Sequence, residues 1–259
     1  MRAVTIDTKI GREILLAQGG ENWLYDKVMD KYPRFTKGCP VYFTDGSRIE
    51  IENNSFINGY AVVKKHLGQR GRSEHRADRA DGRAAIASVE AEAITEAIKW
   101  SREREENQFI IFTDSEAILR GVKKGWSGDN PSPTSNAWIS CILENLTDLK
   151  NSGKKIALIW IPAHKGIAGN KEADKLAKEA AGIQDTLNQN PKKIAPEDLI
   201  RTSRIQIWNN WGSHLREIGN QKGNYYFVNF CDREKGKRKI NKVWFESKGV
   251  MSRKMEEFS

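Results

Sequence analysis

Leu158, Ile159, Trp160 and Ile161 stand in a row and stop at Pro162. A strand with one wet face alternates apolar and polar side chains; a run without alternation belongs to a strand covered on both faces. Val41, Tyr42 and Phe43 make a second such run, and residues 109–112 (FIIF) make a third. Strands of this kind require helices on both sides of one sheet.

Helical spacing supplies those covers. Over 88–100, Val89, Ala93, Ala97 and Trp100 form one apolar face, widened by Ile94 and Ile98. Amphipathic patterns also span 136–150 and 170–181, the latter closed by Gly182. Ser115 is placed to cap a helix that follows Asp114. A hairpin partner at 58–63 follows the first strand after a polar turn. From 64 to 83 the chain is densely charged, which reads as a weak third strand, a basic loop, or both. Residues 126–133 (WSGDNPSP) read as loop from their Gly and Pro content. The order β-β-(β)-α-β-α-α-β-α predicts an α/β domain over 38–183, with a mixed five-stranded sheet flanked by helices. Residues 1–37 form a helical lead-in, with helical spacing between Ile10 and Val28 and a stop at Pro33. Residues 184–259 form a basic, aromatic-rich C-terminal extension.

Two strand ends repeat one phrase, FTDG over 43–46 and FTDS over 112–115. In each, an aspartate emerges from an apolar strand, and Gly46 is expected to let the chain turn. Were the strands parallel neighbours, Asp45 and Asp114 would leave the same sheet edge, where open sheets place their sites. Two adjacent aspartates repel and need a cation. A glutamate from the 88–100 helix, and Asp174 ten residues after His164, would complete an oxygen-only cage suited to Mg²⁺ or Mn²⁺. Four carboxylates can hold two such ions about 3.5–4 Å apart, the arrangement that serves in-line displacement at phosphorus. The helical period does not choose the glutamate: Glu90 falls within the apolar arc, while Glu92 and Glu96 lie at its edge. One histidine among carboxylates is not a zinc set. His164 suits proton handling near a leaving group.

The net charge is +9, and 15 Lys/Arg against 9 Asp/Glu from 183 onward concentrate it in the extension. A polyanionic partner follows from that surplus. No apolar run approaches the roughly 18 residues of a membrane span. The first residues are too broken by charge for a signal peptide. Cys39, Cys141 and Cys231 are too few and too scattered for a disulfide framework or a metal knot. The expectation is an intracellular protein of cytoplasm or nucleus, not secreted and with no membrane partner.

These motifs, in this order, resemble the ribonuclease H family, first type. The matching residues are TDGS over 44–47, the AE pair inside SVEAEAITEAI over 88–98, FTDS over 112–115, and WIPAHKGIAGNKEADKLA over 160–177. The last phrase looks most like the domain carried by non-LTR (LINE-type) retrotransposon polyproteins, and the match covers about 38–183. The resemblance implies a ribonuclease H-like fold and metal-dependent hydrolysis of the RNA strand of an RNA–DNA hybrid, leaving a 3′-hydroxyl and a 5′-phosphate. It implies two Mg²⁺ ions, with Mn²⁺ as the alternative. It puts the catalytic, metal-holding carboxylates on Asp45, Glu92, Asp114 and Asp174, and the family's mobile histidine on His164. This is what selects Glu92 over its neighbours. Gly46, Ser47 and Ser115 match substrate-binding positions near the nucleic-acid backbone. The long basic protrusion of some cellular members is missing, and WSGDNPSP stands in its place. Hybrid affinity is then expected from 64–83 and from the extension.

In the extension, Trp208, Trp211, Tyr225, Tyr226 and Phe227 are interspersed with basic residues, and REKGKRKINK fills 233–242. Aromatic stacking plus phosphate attraction would bind single-stranded nucleic acid. A small helical cap that buries the same aromatics is the competing expectation. The layout, down to an SRK phrase at 252–254, resembles the region that follows ribonuclease H in LINE-type polyproteins. Two other functions stay open at this level. One is a nucleic-acid-binding module whose cleavage is vestigial. The other is DNA strand transfer on the same metal–carboxylate plan, against which the HKGIAGNKEAD phrase argues.

Overall fold

A computed structural model describes residues 3–17, 20–51, 55–69, 71–127, 130–132, 134–182 and 192–219. The chain divides into two compact units, Met1–Leu199 and Ile200–Ser259. In chain order the elements are β1 (Val4–Asp7), α1 (Lys9–Ala17), α2 (Glu21–Lys31), β2 (Pro40–Ile51), β3 (Ser55–His66), β4 (Glu74–Ala80) and α3 (Ile86–Arg102). There follow β5 (Gln108–Thr113), α4 (Glu116–Gly125), β6 (Trp126–Ser127), β7 (Asn130–Pro131), α5 (Ala137–Asn151), β8 (Lys155–Trp160), α6 (Ala168–Gly182) and α7 (Pro196–Gly219).

The sheet is mixed, as expected, but has six strands in the order β1-β8-β5-β2-β3-β4 rather than five. β1, β8, β5 and β2 run parallel to one another, while β3 and β4 are antiparallel additions beside β2. The unalternating runs have a direct explanation. Tyr42, Phe109, Ile111 and Leu158 face a core shared with α3, α4 and α5. Val41, Phe43, Ile110, Phe112 and Ile159 face a second core with α1, α2 and Ala173 of α6. Each run therefore fills both faces, and every position along the run is apolar.

Three local differences from the sequence expectation have physical causes. The lead-in is not purely helical: its first residues pair as β1 alongside β8, from Val4 opposite Ile156 to Asp7 opposite Ile159. Asp7 then opens α1 by accepting the N–H groups of Lys9 (2.6 Å) and Ile10 (3.4 Å). β2 does not turn at Gly46; it runs on to Ile51, pairing with β3 throughout. Gly46 is needed for space instead, since a Cβ there would lie 2.9 Å from the Glu90 backbone nitrogen of α3. The charged stretch is both strand and loop, as expected: within it Glu74–Ala80 forms the edge strand β4, whose polar side chains suit an unprotected sheet margin. Its Arg76 lies over the Trp100 ring (4.5 Å) and pairs with Glu96 (3.1 Å) and Glu103 (2.5 Å). The WSGDNPSP segment carries a two-rung hairpin, with Trp126 opposite Pro131.

The first unit reaches past the expected boundary at 183. Ala195 is buried in the first core, and Asp198 accepts the Ala85 N–H at 3.0 Å. In the extension, Trp208 is 57% exposed and Trp211 50%. Tyr225, Tyr226, Phe227, Cys231, the basic run 233–242 and the SRK phrase lie outside the described residues. Among the described residues, no helix is long and apolar enough to cross a membrane.

Candidate active site

The parallel ladder between β2 and β5 ends at the pair Thr44–Thr113. Asp45 and Asp114 are the next residue on each chain, so both leave at the same margin. Asp45 is only 9% exposed and accepts the N–H of Gly46 at 2.8 Å. Asp114 is half-buried and fixed twice. Its carboxylate accepts the Asn170 side-chain amide at 3.2 Å, and its carbonyl accepts the Trp160 indole N–H at 3.0 Å. Asp174 stands in the second turn of α6 and accepts from Lys178, one turn on, at 2.7 Å. His164 lies in the loop between β8 and α6, exposed, with φ 59°. That left-handed conformation is uncommon for a residue with a side chain and often marks a functional position.

The glutamate on this margin is Glu90, not Glu92. Glu90 accepts the Ser115 hydroxyl at 2.5 Å and is felt electrostatically at Asp45. Glu92, two residues on, points off the margin. It lines a cavity of about 280 Å³ with Tyr60, Asp78, Lys99, Trp138, Lys192 and Lys193. A step of two residues turns a helix by about 200°, so the two side chains cannot share a face. The structure therefore does not bring Glu92 to the other carboxylates, where the resemblance puts it. The helical period does not by itself settle the choice, although Glu90 falls inside the apolar arc. Asn170, which holds Asp114, was a residue the sequence reading assigned no role.

The three matched substrate positions fare differently. Gly46 serves the close approach of α3. Ser47 is buried within the β2–β3 pairing opposite Gly59, and Ser115 is buried with its hydroxyl given to Glu90. Ser115 does occupy the cap position of α4, but its side chain makes no cap hydrogen bond.

Three of these carboxyls are raised. Burial, with Asp114, Asp174 and Glu90 adding, pushes Asp45 up to about 8 against the Gly46 N–H. Burial also raises Glu90, with Asp114 adding and Ser115 opposing. Burial raises Asp114, opposed by Asn170 and His164 and reinforced by Asp174. Among the described residues, no Lys or Arg bonds to Asp45, Glu90 or Asp114. Hard oxygen donors crowded without a protein cation fit a divalent ion such as Mg²⁺. As they stand, no three acidic, imidazole or thiol groups among the described residues are drawn together at ion-holding distance. Each carboxylate is turned to a local partner: Gly46, Ser115, Asn170 or Lys178.

Known proteins are similar to this chain in sequence. A family model described as RNase H matches residues 39–182. A Ribonuclease H of Shewanella sp. (strain MR-4) is 27% identical over 152 residues, covering 56% of this chain and 88% of its own. The Homo sapiens Ribonuclease H1 is 31% identical over 111 residues, covering 40% of this chain and 37% of its own. Among solved structures, RNase H1 from the archaeon Halobacterium salinarum NRC-1 is 21% identical with a TM-score of 0.42, covering 55% of this chain and 97% of its own. LC11-RNase H1, solved in complex with an RNA/DNA hybrid, is 19% identical with a TM-score of 0.40, covering 55% and 96%.

Proposed function

This chain belongs to the ribonuclease H family, and we propose from that premise that it is an active, metal-dependent endonuclease that hydrolyses the RNA strand of RNA–DNA hybrids. One observation carries the reading: Asp45, Glu90, Asp114 and Asp174 come from four separate elements to one sheet margin, where burial and then the neighbouring carboxylates raise the carboxyls of Asp45, Glu90 and Asp114. Held as bare charges they repel, so the set is built for a cation from solution.

In this reading the four carboxylates hold Mg²⁺, with Mn²⁺ as the alternative ion. Two bound ions would supply a nucleophilic water and neutralise the leaving oxygen of an in-line displacement. The protein's own part is placement. Asp45 and Asp114 are fixed by the ladder beneath them, and Asn170 and Trp160 keep Asp114 from swinging. His164, exposed and close enough to lower the Asp114 carboxyl, gives the proton to the departing 3′ oxygen. The 2′-hydroxyls of the substrate distinguish the RNA strand from DNA. The phrase from Trp160 to Asp174 supports a finer placement, among domains of LINE-type polyproteins. Exposed Trp208 and Trp211, on a basic extension, support added contact with single strands.

A labelled RNA annealed to DNA, incubated with Mg²⁺ and then with EDTA beside single-stranded RNA and duplex DNA, tests the proposal. Cleavage of the hybrid alone, lost in EDTA, is expected. Tight, salt-sensitive hybrid binding without turnover by folded protein would favour a vestigial binding module. Cleavage of duplex DNA with the hybrid untouched would favour strand-transfer chemistry.

A further inference from the structure

Residues 1–37 lie outside the family match, yet two of them reach the flanks of the carboxylate margin. Glu21 opens α2. One of its oxygens accepts the backbone N–H of Gly169 at 2.7 Å. The other accepts the Tyr25 hydroxyl at 2.7 Å and the Lys65 ammonium at 3.4 Å. Gly169 is the second residue of α6, whose first-turn N–H groups have no partner inside the helix. A carboxylate there also answers the positive end of the helix dipole. The next residue, Asn170, holds Asp114, and Asp174 follows one turn on.

The opposite side of the same residue is equally constrained. Gly169 lies so close to the Phe43 ring that any Cβ would collide with it, two residues before Asp45. Lys65 stands 3.7 Å from Glu172 of α6 as well as beside Glu21. The start of α6 is thus clamped between β2 and α2. On the other flank, Gly11 of α1 rests on the ring and carbonyl of Trp160 with no room for a side chain. That same Trp160 holds the Asp114 carbonyl.

We propose that Glu21 is a positioning residue of the active site. By capping Gly169 it fixes where α6 presents Asn170 and Asp174 to Asp114, and where the His164 loop ends. The inference rests on the hydrolase reading above. Glu21 contacts neither the carboxylates nor His164, so its removal acts on the alignment of the site rather than on capture of the hybrid.

The test uses the full chain with Glu21→Ala, Glu21→Gln and Tyr25→Phe. Alanine removes the cap; glutamine keeps an acceptor oxygen; Tyr25→Phe removes a second contact of Glu21 and leaves the Gly169 bond. Glu21→Ala should lower kcat about 10- to 100-fold, the scale of a misplacement of about 1 Å, with KM for the hybrid within about twofold. Glu21→Gln should fall between, and Tyr25→Phe should match the unaltered protein. Deuterium exchange over 163–174, without metal or substrate, supplies a second readout. It should quicken in Glu21→Ala and less so in Glu21→Gln. Unchanged exchange overturns the proposal, and so does quickened exchange with unaltered kcat. Should the alanine variant not fold, the glutamine variant decides by the same two readouts. An unaltered protein that never cleaves hybrid, with exchange still quickened in Glu21→Ala, would overturn the hydrolase reading and support the clamp.

Discussion

Glu90 and Glu92 stand two residues apart on α3, and burial raises both carboxyls, yet their neighbours differ in kind. Around Glu90 the nearby charges are other carboxylates, chiefly Asp114. Around Glu92, whose carboxyl is pushed up to about 7 by burial and then by Asp78, the lysines 192, 99 and 193 pull the other way. One cluster carries its own counter-charge and needs nothing from solution. Around the other, carboxylate adds to carboxylate, a repulsion that a bound cation would relieve on the function proposed above. Burial and a raised carboxyl are common to both, so neither identifies the reactive site. The sign of the surrounding charge is what sets the two apart.

The largest test of this contrast is Asp45→Asn, which should lower hybrid hydrolysis by about 10³-fold or more while circular dichroism shows an intact fold. Next comes the pair Glu90→Gln and Glu92→Gln in the same assay. The first should lower kcat by about 10²- to 10³-fold, and the second should stay within about threefold. The reverse ranking would restore Glu92 to the site and dissolve the contrast.

Ion binding itself gives a smaller signal. Mg²⁺ at about 100 times its dissociation constant should stabilise the fold by about 2.7 kcal/mol in a thermal melt. Glu92→Gln should keep that gain, and Asp45→Asn should lose most of it. The least effect is the pH dependence without metal. Asp45 titrates near 8 in the fold against an ordinary 3.8, so the folded state holds the proton more tightly. Its contribution is complete below about 4 and is lost as pH rises through about 8. Metal-free protein should weaken across that window by at most about 1.4 kcal/mol per pH unit for this proton, and Asp45→Asn should flatten the slope in urea melts.

The parts legible in the sequence are those written locally. Strands with both faces covered announce themselves by their lack of alternation, and Asp45 and Asp114 follow from where those runs end. What was not legible depends on partners far along the chain. Val4 to Asp7 is too short and too mixed to signal a strand, and only pairing with β8 makes it one. Gly46 reads as a turn because a glycine's freedom is visible in sequence, while the nearness of Glu90's backbone is not. The choice of glutamate was half legible: the apolar arc held Glu90, and the two-letter AE match pointed to its neighbour. Glu21 left no trace at all, since its partner lies 148 positions away.

The lead-in also bears on how such a domain can be moved between proteins. The part shared with relatives begins at 39, but β1, Gly11 and Glu21 lie before it. A chimera spliced at that border would inherit all the reacting side chains and leave behind what keeps α6 and Trp160 still. In this chain the heredity of the chemistry and the heredity of its rigidity have different borders. Comparison with relatives traces only the first.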